Sequence, residues 1–207
     1  MVLVGVLLVS GVALMTVESV GYVRGGYNGS FWRLPLDEKL DHVAAHPRDW
    51  WWISIWSVVG LFTVTAGVFG LAGMLADAGE PVLAYVSLGG FTIAALGWFF
   101  GLSVQTTAVS EAAGQRAETG ATPAWVHPLW NAAFLTELVY ITGSNAAYSL
   151  MGLGILRSDL VADWAGWLAL IGGAVIAAVV LAMREGFPQL GYLLPAAIGI
   201  ALLIQAA

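Results

Sequence analysis

Between Trp50 and Ala76, and again between Pro81 and Ser110, not one side chain carries a charge. A run of about 20 apolar residues is long enough to cross the hydrocarbon core of a bilayer. Backbone N–H and C=O groups in such a run find no water there. They must pair within their own segment or across a closed barrel. The strict alternation of apolar and polar residues that marks barrel strands is absent, so the runs read as helices. Composition removes the soluble alternative. Of 207 residues, 59% are hydrophobic and 10% charged, where a soluble domain carries about 25% charged residues. So few charges cannot clothe a water-facing surface of this size.

The expected fold is therefore all-α, a polytopic membrane helix bundle forming one transmembrane domain over residues 1–207. About six spans are read from the apolar runs, at residues 2–22, 50–75, 81–105, 129–155, 161–183 and 188–204. The first reads as a membrane helix rather than a signal peptide. It has no basic leader, its apolar run is too long, and it ends in Glu18-Ser19-Val20-Gly21-Tyr22 instead of a small-residue cleavage site. Pro195 predicts a bend in the last span.

Six of the seven basic residues (Arg24, Arg33, Lys39, Arg48, Arg116 and Arg184) fall in the first, third and fifth connections, against Arg157 alone in the fourth. By the positive-inside bias this places the 23–49 loop in the cytoplasm and both termini outside a cell membrane. Trp50, Trp51, Trp52, Trp56, Trp125, Trp130, Trp164 and Trp167 cluster at span ends, as indoles anchored at headgroup level would. In the first connection Leu36, Leu40 and Val43 share one face of a short helix, which Pro47 ends at His46. That helix reads as amphipathic and interfacial. Asn28-Gly29-Ser30 matches a glycosylation acceptor but falls on the cytoplasmic side of this topology. Ser57, Gly60, Thr63, Gly67 and Gly70, with Gly97 and Gly101, are small residues at helix-contact spacing.

Several chemistries are closed off. With no cysteine there are no disulfides, thiolate metal sites, iron–sulfur clusters or cysteine nucleophiles. A net charge of −6 disfavours nucleic acid as a partner. No phosphate-binding loop, nucleophile elbow or zinc-protease motif is present. No span contains a histidine, which leaves Ser144 without a base and a haem without paired imidazoles. The only lysine, Lys39, lies in a loop, so no retinal Schiff base forms. No cofactor is expected, and no enzymatic activity is assigned.

His42 and His46, at i and i+4, could share a metal with His127 and either Asp41 or Asp49. A solvated interfacial pair is the simpler reading, and no metal is assigned. Ionisable residues within spans are the sharper signal, because they are costly there and tend to face a bundle interior. Glu18 lies about 6 Å from the inner end of its span, close enough to snorkel. Glu137 is deeper, about 12 Å into the fourth span. Tyr140, Ser144 and Tyr148 lie within about 60° of it on the helix, and Asn145 borders this polar face. No lysine or arginine within a span can neutralise Glu137. Its carboxyl is therefore protonated, hydrogen-bonded by neighbours, or open to water.

The run from Leu40 to Trp50, then Gly154-Ile155-Leu156-Arg157, Trp164-Ala165-Gly166-Trp167 and a last proline-bearing helix resemble small six-helix prokaryotic integral membrane proteins of unknown function. The resemblance covers most of the chain and implies no activity. Two functions stand open. One is a small ligand- or ion-handling bundle, transporter-like or sensor-like, that uses Glu137, Tyr140, Ser144, Tyr148 and Glu18. The other is a non-catalytic accessory or scaffold subunit. Its partners would be the lipid bilayer and either a second copy or another membrane subunit.

Overall fold

The computed structural model describes residues 1–27, 31–183 and 191–207. The Asn28-Gly29-Ser30 sequence, Arg184, and Pro188 at the start of the sixth expected span lie outside the described residues. Every regular element described is helical: α1 (Val2–Gly25), α2 (Leu36–Ala45), α3 (Pro47–Asp77), α4 (Pro81–Ser103), α5 (Ser110–Thr119), α6 (Val126–Ser158), α7 (Asp163–Met183) and α8 (Leu193–Gln205). A 3-10 turn covers Phe31–Arg33, and a π-helical stretch, Val104–Val109, joins α4 to α5.

Four helices are long and apolar enough to cross a membrane by length and composition: α1, α3, α4 with its continuation to Thr119, and α7. α6 is longer than α7, but the polar face around Glu137 makes it less apolar. The described part of α8 is apolar and shorter. The long helices close a ring, with α1 against α3, α3 against α4, α4 against α6, α6 against α7, α7 against α8, and α8 back against α1. Across one end of this ring lie α2 and α5, packed on each other.

Several boundaries differ from the sequence reading, each for a local reason. The expected connection from Thr106 begins instead as helix, which runs on to Thr119. Ala, Glu, Gln and Arg in this segment favour the helical backbone even where they end the apolar run. Gly120, at φ 72°, then caps it in the left-handed region. Pro47 both ends α2 and begins α3, at the first helical position, where a missing N–H costs nothing. Pro195 sits in the first turn of α8, three residues past the break in helix at Tyr192.

Trp50 is not an exposed anchor. It is 2% exposed, and its indole N–H donates to the Gln105 carbonyl at 2.9 Å. That carbonyl belongs to the π-helical stretch, where a widened turn departs from the regular i→i−4 ladder. Trp32, Trp51, Trp125, Trp164 and Trp167 are the exposed indoles.

Helix contact rests on close backbone approach. A Cβ on Gly11 would stand 2.6 Å from the backbone nitrogen of Val64, and one on Gly60 would stand 2.9 Å from the Gly11 carbonyl oxygen. Lipid tails solvate apolar side chains as well as another helix does, so such packing drives association. Gly11→Ala is expected to destabilise by about 1–3 kcal/mol through overpacking. Gly73, with nothing near its missing Cβ and an exposed face, should tolerate alanine with a gain of roughly 0.5–1 kcal/mol. Thermal unfolding of the two variants in one detergent measures the contrast.

Candidate functional site

The close approach of α1 and α3 brings Glu18 face to face with Ser57. Glu18 is only 3% exposed and does not snorkel, because both of its carboxylate oxygens meet hydroxyl groups inside the protein. Ser57 Oγ donates to Glu18 Oε2, and the Tyr192 hydroxyl approaches Oε1 at 3.5 Å from the residue preceding α8. Three elements therefore converge on one carboxyl group. Ser57 Oγ also lies 2.8 Å from the carbonyl of Ile53.

A hydroxyl has one proton to give. When Glu18 is ionised, Ser57 donates to it. When Glu18 carries a proton, Glu18 donates to Ser57 Oγ and Ser57 turns its own proton to Ile53. Both protonation states of Glu18 are thus hydrogen-bonded with the heavy atoms in place.

Glu137 enters from α6 and is half-buried. Among the described residues no side-chain hydrogen bond reaches its carboxylate. Tyr140, Ser144 and Tyr148 are buried along the α6 face. Tyr140 stacks on Trp98 of α4 at 5.6 Å between ring centroids, and Tyr148 meets Phe91 at 5.7 Å. Ser144 Oγ donates to the Ile141 carbonyl, so it does not reach Glu137. Further in, Asn145 Nδ2 donates to the same carbonyl at 2.7 Å. Asn145 Oδ1, Thr142 Oγ1 and Trp98 Nε1 are buried without a partner among the described residues. Buried polar atoms of this kind are places that ordered water completes.

Ser57 and Tyr192 are the members that sequence reasoning missed. Ser57 is legible only as one more small residue in a helix-contact stripe. Tyr192 lies far along the chain from Glu18, so no local pattern could have found it.

The histidines occupy a separate cluster. His42 Nε2 lies 2.6 Å from the Gly25 carbonyl at the end of α1, and His46 Nδ1 lies 3.2 Å from the His42 carbonyl. A ring nitrogen facing a carbonyl must be the protonated one, which leaves a single nitrogen on each ring as a ligand atom. Tyr27, Phe31 and Trp50 pack around the pair, and the Tyr27 hydroxyl donates to the His46 carbonyl. His127 is exposed and does not join them. Asp41 pairs with Arg116 and Asp49 with Arg24. No three-residue metal-ligand group forms among the described residues.

Burial, with the Asp49 charge beside it, pushes the Tyr27 hydroxyl up, and burial pulls the Lys39 amine down. Lys39 lies over the Trp130 ring at 4.9 Å, a geometry in which the ring face attracts the cation. Arg116 grips both oxygens of Asp41, Nε at 2.6 Å and Nη2 at 2.8 Å, and so joins α5 to α2. This grip holds the Asp41 carboxyl below the usual carboxylate range and raises Arg116.

No family model matches the chain, no curated protein is similar to it, and no solved structure matches it.

A depressed folded-state pKa stabilises above the unfolded carboxylate value of about 3.9. The contribution disappears as pH falls through the lower, folded value. Acidification should therefore lower the protection of α5 amides relative to their intrinsic exchange rates, and Asp41→Asn should lower it already at neutral pH. Equal protection in wild type and variant at neutral pH would remove the grip as the link between α2 and α5.

Proposed function

We propose that the protein is a multi-pass integral membrane protein of a prokaryotic cell membrane, whose bundle handles protons or a small cationic ligand at the carboxyl groups of Glu18 and Glu137. In this reading α1, α3, α4, α6, α7 and the helix ending in α8 each cross the bilayer. The amphipathic α2 lies on the cytoplasmic face, and both termini are outside. The apolar runs and the bias of basic residues support this arrangement.

The observation that carries the functional reading is Glu18 between Ser57 and Tyr192. Its hydrogen bonds survive gain and loss of a proton, and α6 carries a second carboxyl group, Glu137, half-buried and without a side-chain hydrogen bond among the described residues. The unpartnered Asn145, Thr142 and Trp98 atoms would let water extend from Glu137 along α6. The second reading, a scaffold subunit, is favoured by the same Glu18 contacts taken as glue, since they join three elements of the chain.

Proteoliposomes separate the two readings. Under an imposed potential, wild type should acidify or alkalinise a trapped pH dye, and Glu18→Gln and Glu137→Gln should lose that flux at unchanged thermal stability. A scaffold would show no flux. Its Glu18→Gln variant would keep wild-type stability, and Glu18→Leu would cost on the order of 1 kcal/mol, the scale of hydrogen bonds within membranes.

The topology has its own test, because the chain has no cysteine. Among single cysteines at Ala45, Gly120 and Ala207, an impermeant thiol reagent applied to intact cells should label only the last. Labelling of the first two and not the third would invert the orientation.

A further inference from the structure

At the end of the bundle that carries α2 and α5, a groove of about 500 Å³ opens between the end of α1 and the start of α3. It is lined by Arg24, Pro47, Arg48, Asp49, Trp51 and Trp52, and neither Glu18 nor Glu137 is among its lining residues. We propose that this groove binds an anionic phospholipid, with the phosphodiester between Arg24 and Arg48 and the glycerol and upper acyl chain along Trp51 and Trp52. The proposal rests on the membrane reading above, since it supposes that this end of α1 and α3 lies at headgroup level.

Three observations select that occupant. The first is charge. Arg24 pairs through Nε with Asp49 at 3.4 Å, and its side chain stays 64% exposed, so the terminal nitrogens remain available to a second anion. Arg48 is exposed beside them. Two guanidinium groups and one carboxylate sum to a single positive charge, the complement of one phosphodiester. A zwitterionic lipid would bring an ammonium group toward the same guanidiniums. Arginine also suits the task, because its planar fork can bond two phosphate oxygens at once.

The second observation is the apolar wall. Trp51 is 56% exposed, while the Trp52 indole N–H donates to the Val17 carbonyl of α1 at 3.1 Å, which fixes its ring. Inorganic phosphate would leave these indoles uncovered. A lipid would cover them, and indoles favour the headgroup level of a bilayer. The third is the backbone. The first turn of α3 presents amides without intrahelical partners at this end, and they add positive potential toward an anion.

The test uses the full chain, reconstituted in equimolar phosphatidylcholine and phosphatidylglycerol and then released into detergent for native mass spectrometry. Wild type should retain phosphatidylglycerol over phosphatidylcholine by about tenfold, which corresponds to about 1.4 kcal/mol. Arg24→Gln/Arg48→Gln should bring the ratio close to one. Arg48→Gln alone, which keeps the Arg24–Asp49 pair, replaces the double variant if that variant does not fold, and should cut the ratio several-fold. Arg33→Gln, which removes an exposed cation outside the groove, should leave the ratio unchanged.

Equal retention of the two lipids by wild type would overturn the proposal. So would an Arg33→Gln effect as large as that of Arg48→Gln, which would mean a diffuse surface potential. Thermal stabilisation by inorganic phosphate alone, matching that by phosphatidylglycerol, would make this a free-anion site and would also overturn it. Extraction of wild type from membranes by alkaline carbonate would defeat the membrane reading. Carbonate resistance without lipid preference would defeat only the lipid site.

Discussion

How near α1 comes to α3 governs everything around Glu18. Ser57 reaches that carboxylate only because small residues let the two backbones approach along their length, with Gly11 against Val64, Gly60 against Met15, and Gly67 against Leu8. A carboxyl group placed in an apolar helix needs a donor supplied by a neighbour. Among the described residues of the long helices no lysine or arginine is buried, and hydroxyl groups are what remains. Packing by glycine and hydrogen bonding by Glu18 are therefore one design feature. Larger residues along this seam would separate the helices and leave the carboxylate without its partner.

The apolar runs, the short α2 helix with Leu40 and Val43 buried, and its stop at Pro47 were legible in the sequence because each is a local matter of periodicity or backbone chemistry. Glu137 and its polar face were legible for the same reason. The Glu18 site was not. Its partners lie 39 and 174 residues away in sequence, and a helical wheel shows which residues share a face without showing what that face meets. Trp50 misled in a similar way. An indole at the end of an apolar run looks like an anchor until the Gln105 carbonyl is seen opposite it. The run of helix beyond Thr106 was hidden because polarity marks the end of an apolar segment, whereas only Gly120 marks the end of the helix.

The two ends of the ring differ in kind. One is finished by short turns and by the Arg157–Glu80 ion pair at 3.0 Å. The other carries the α2–α5 layer, the aromatic and histidine cluster, and the lipid groove proposed above. Glu18 and Tyr192 lie toward this second end, so polar chemistry is concentrated in one half of the bundle while the other half is packed almost wholly by apolar and small residues.

The single residue between α2 and α3 has a mechanical consequence. With only His46 separating the helices, and with α5 continuing α4 through the π-helical stretch, the segment from Leu36 to Thr119 is a hairpin of near-continuous helix. Its open end is tied twice, by Trp50 to Gln105 inside and by Arg116 to Asp41 outside. A hairpin closed at both ends resists splaying, so α3 and α4 behave as a fixed post. Because α1 packs along α3 for most of its length, that post also sets where Glu18 stands. The one carboxyl group met by hydroxyls from two other elements is thus held against the most firmly braced helix of the bundle.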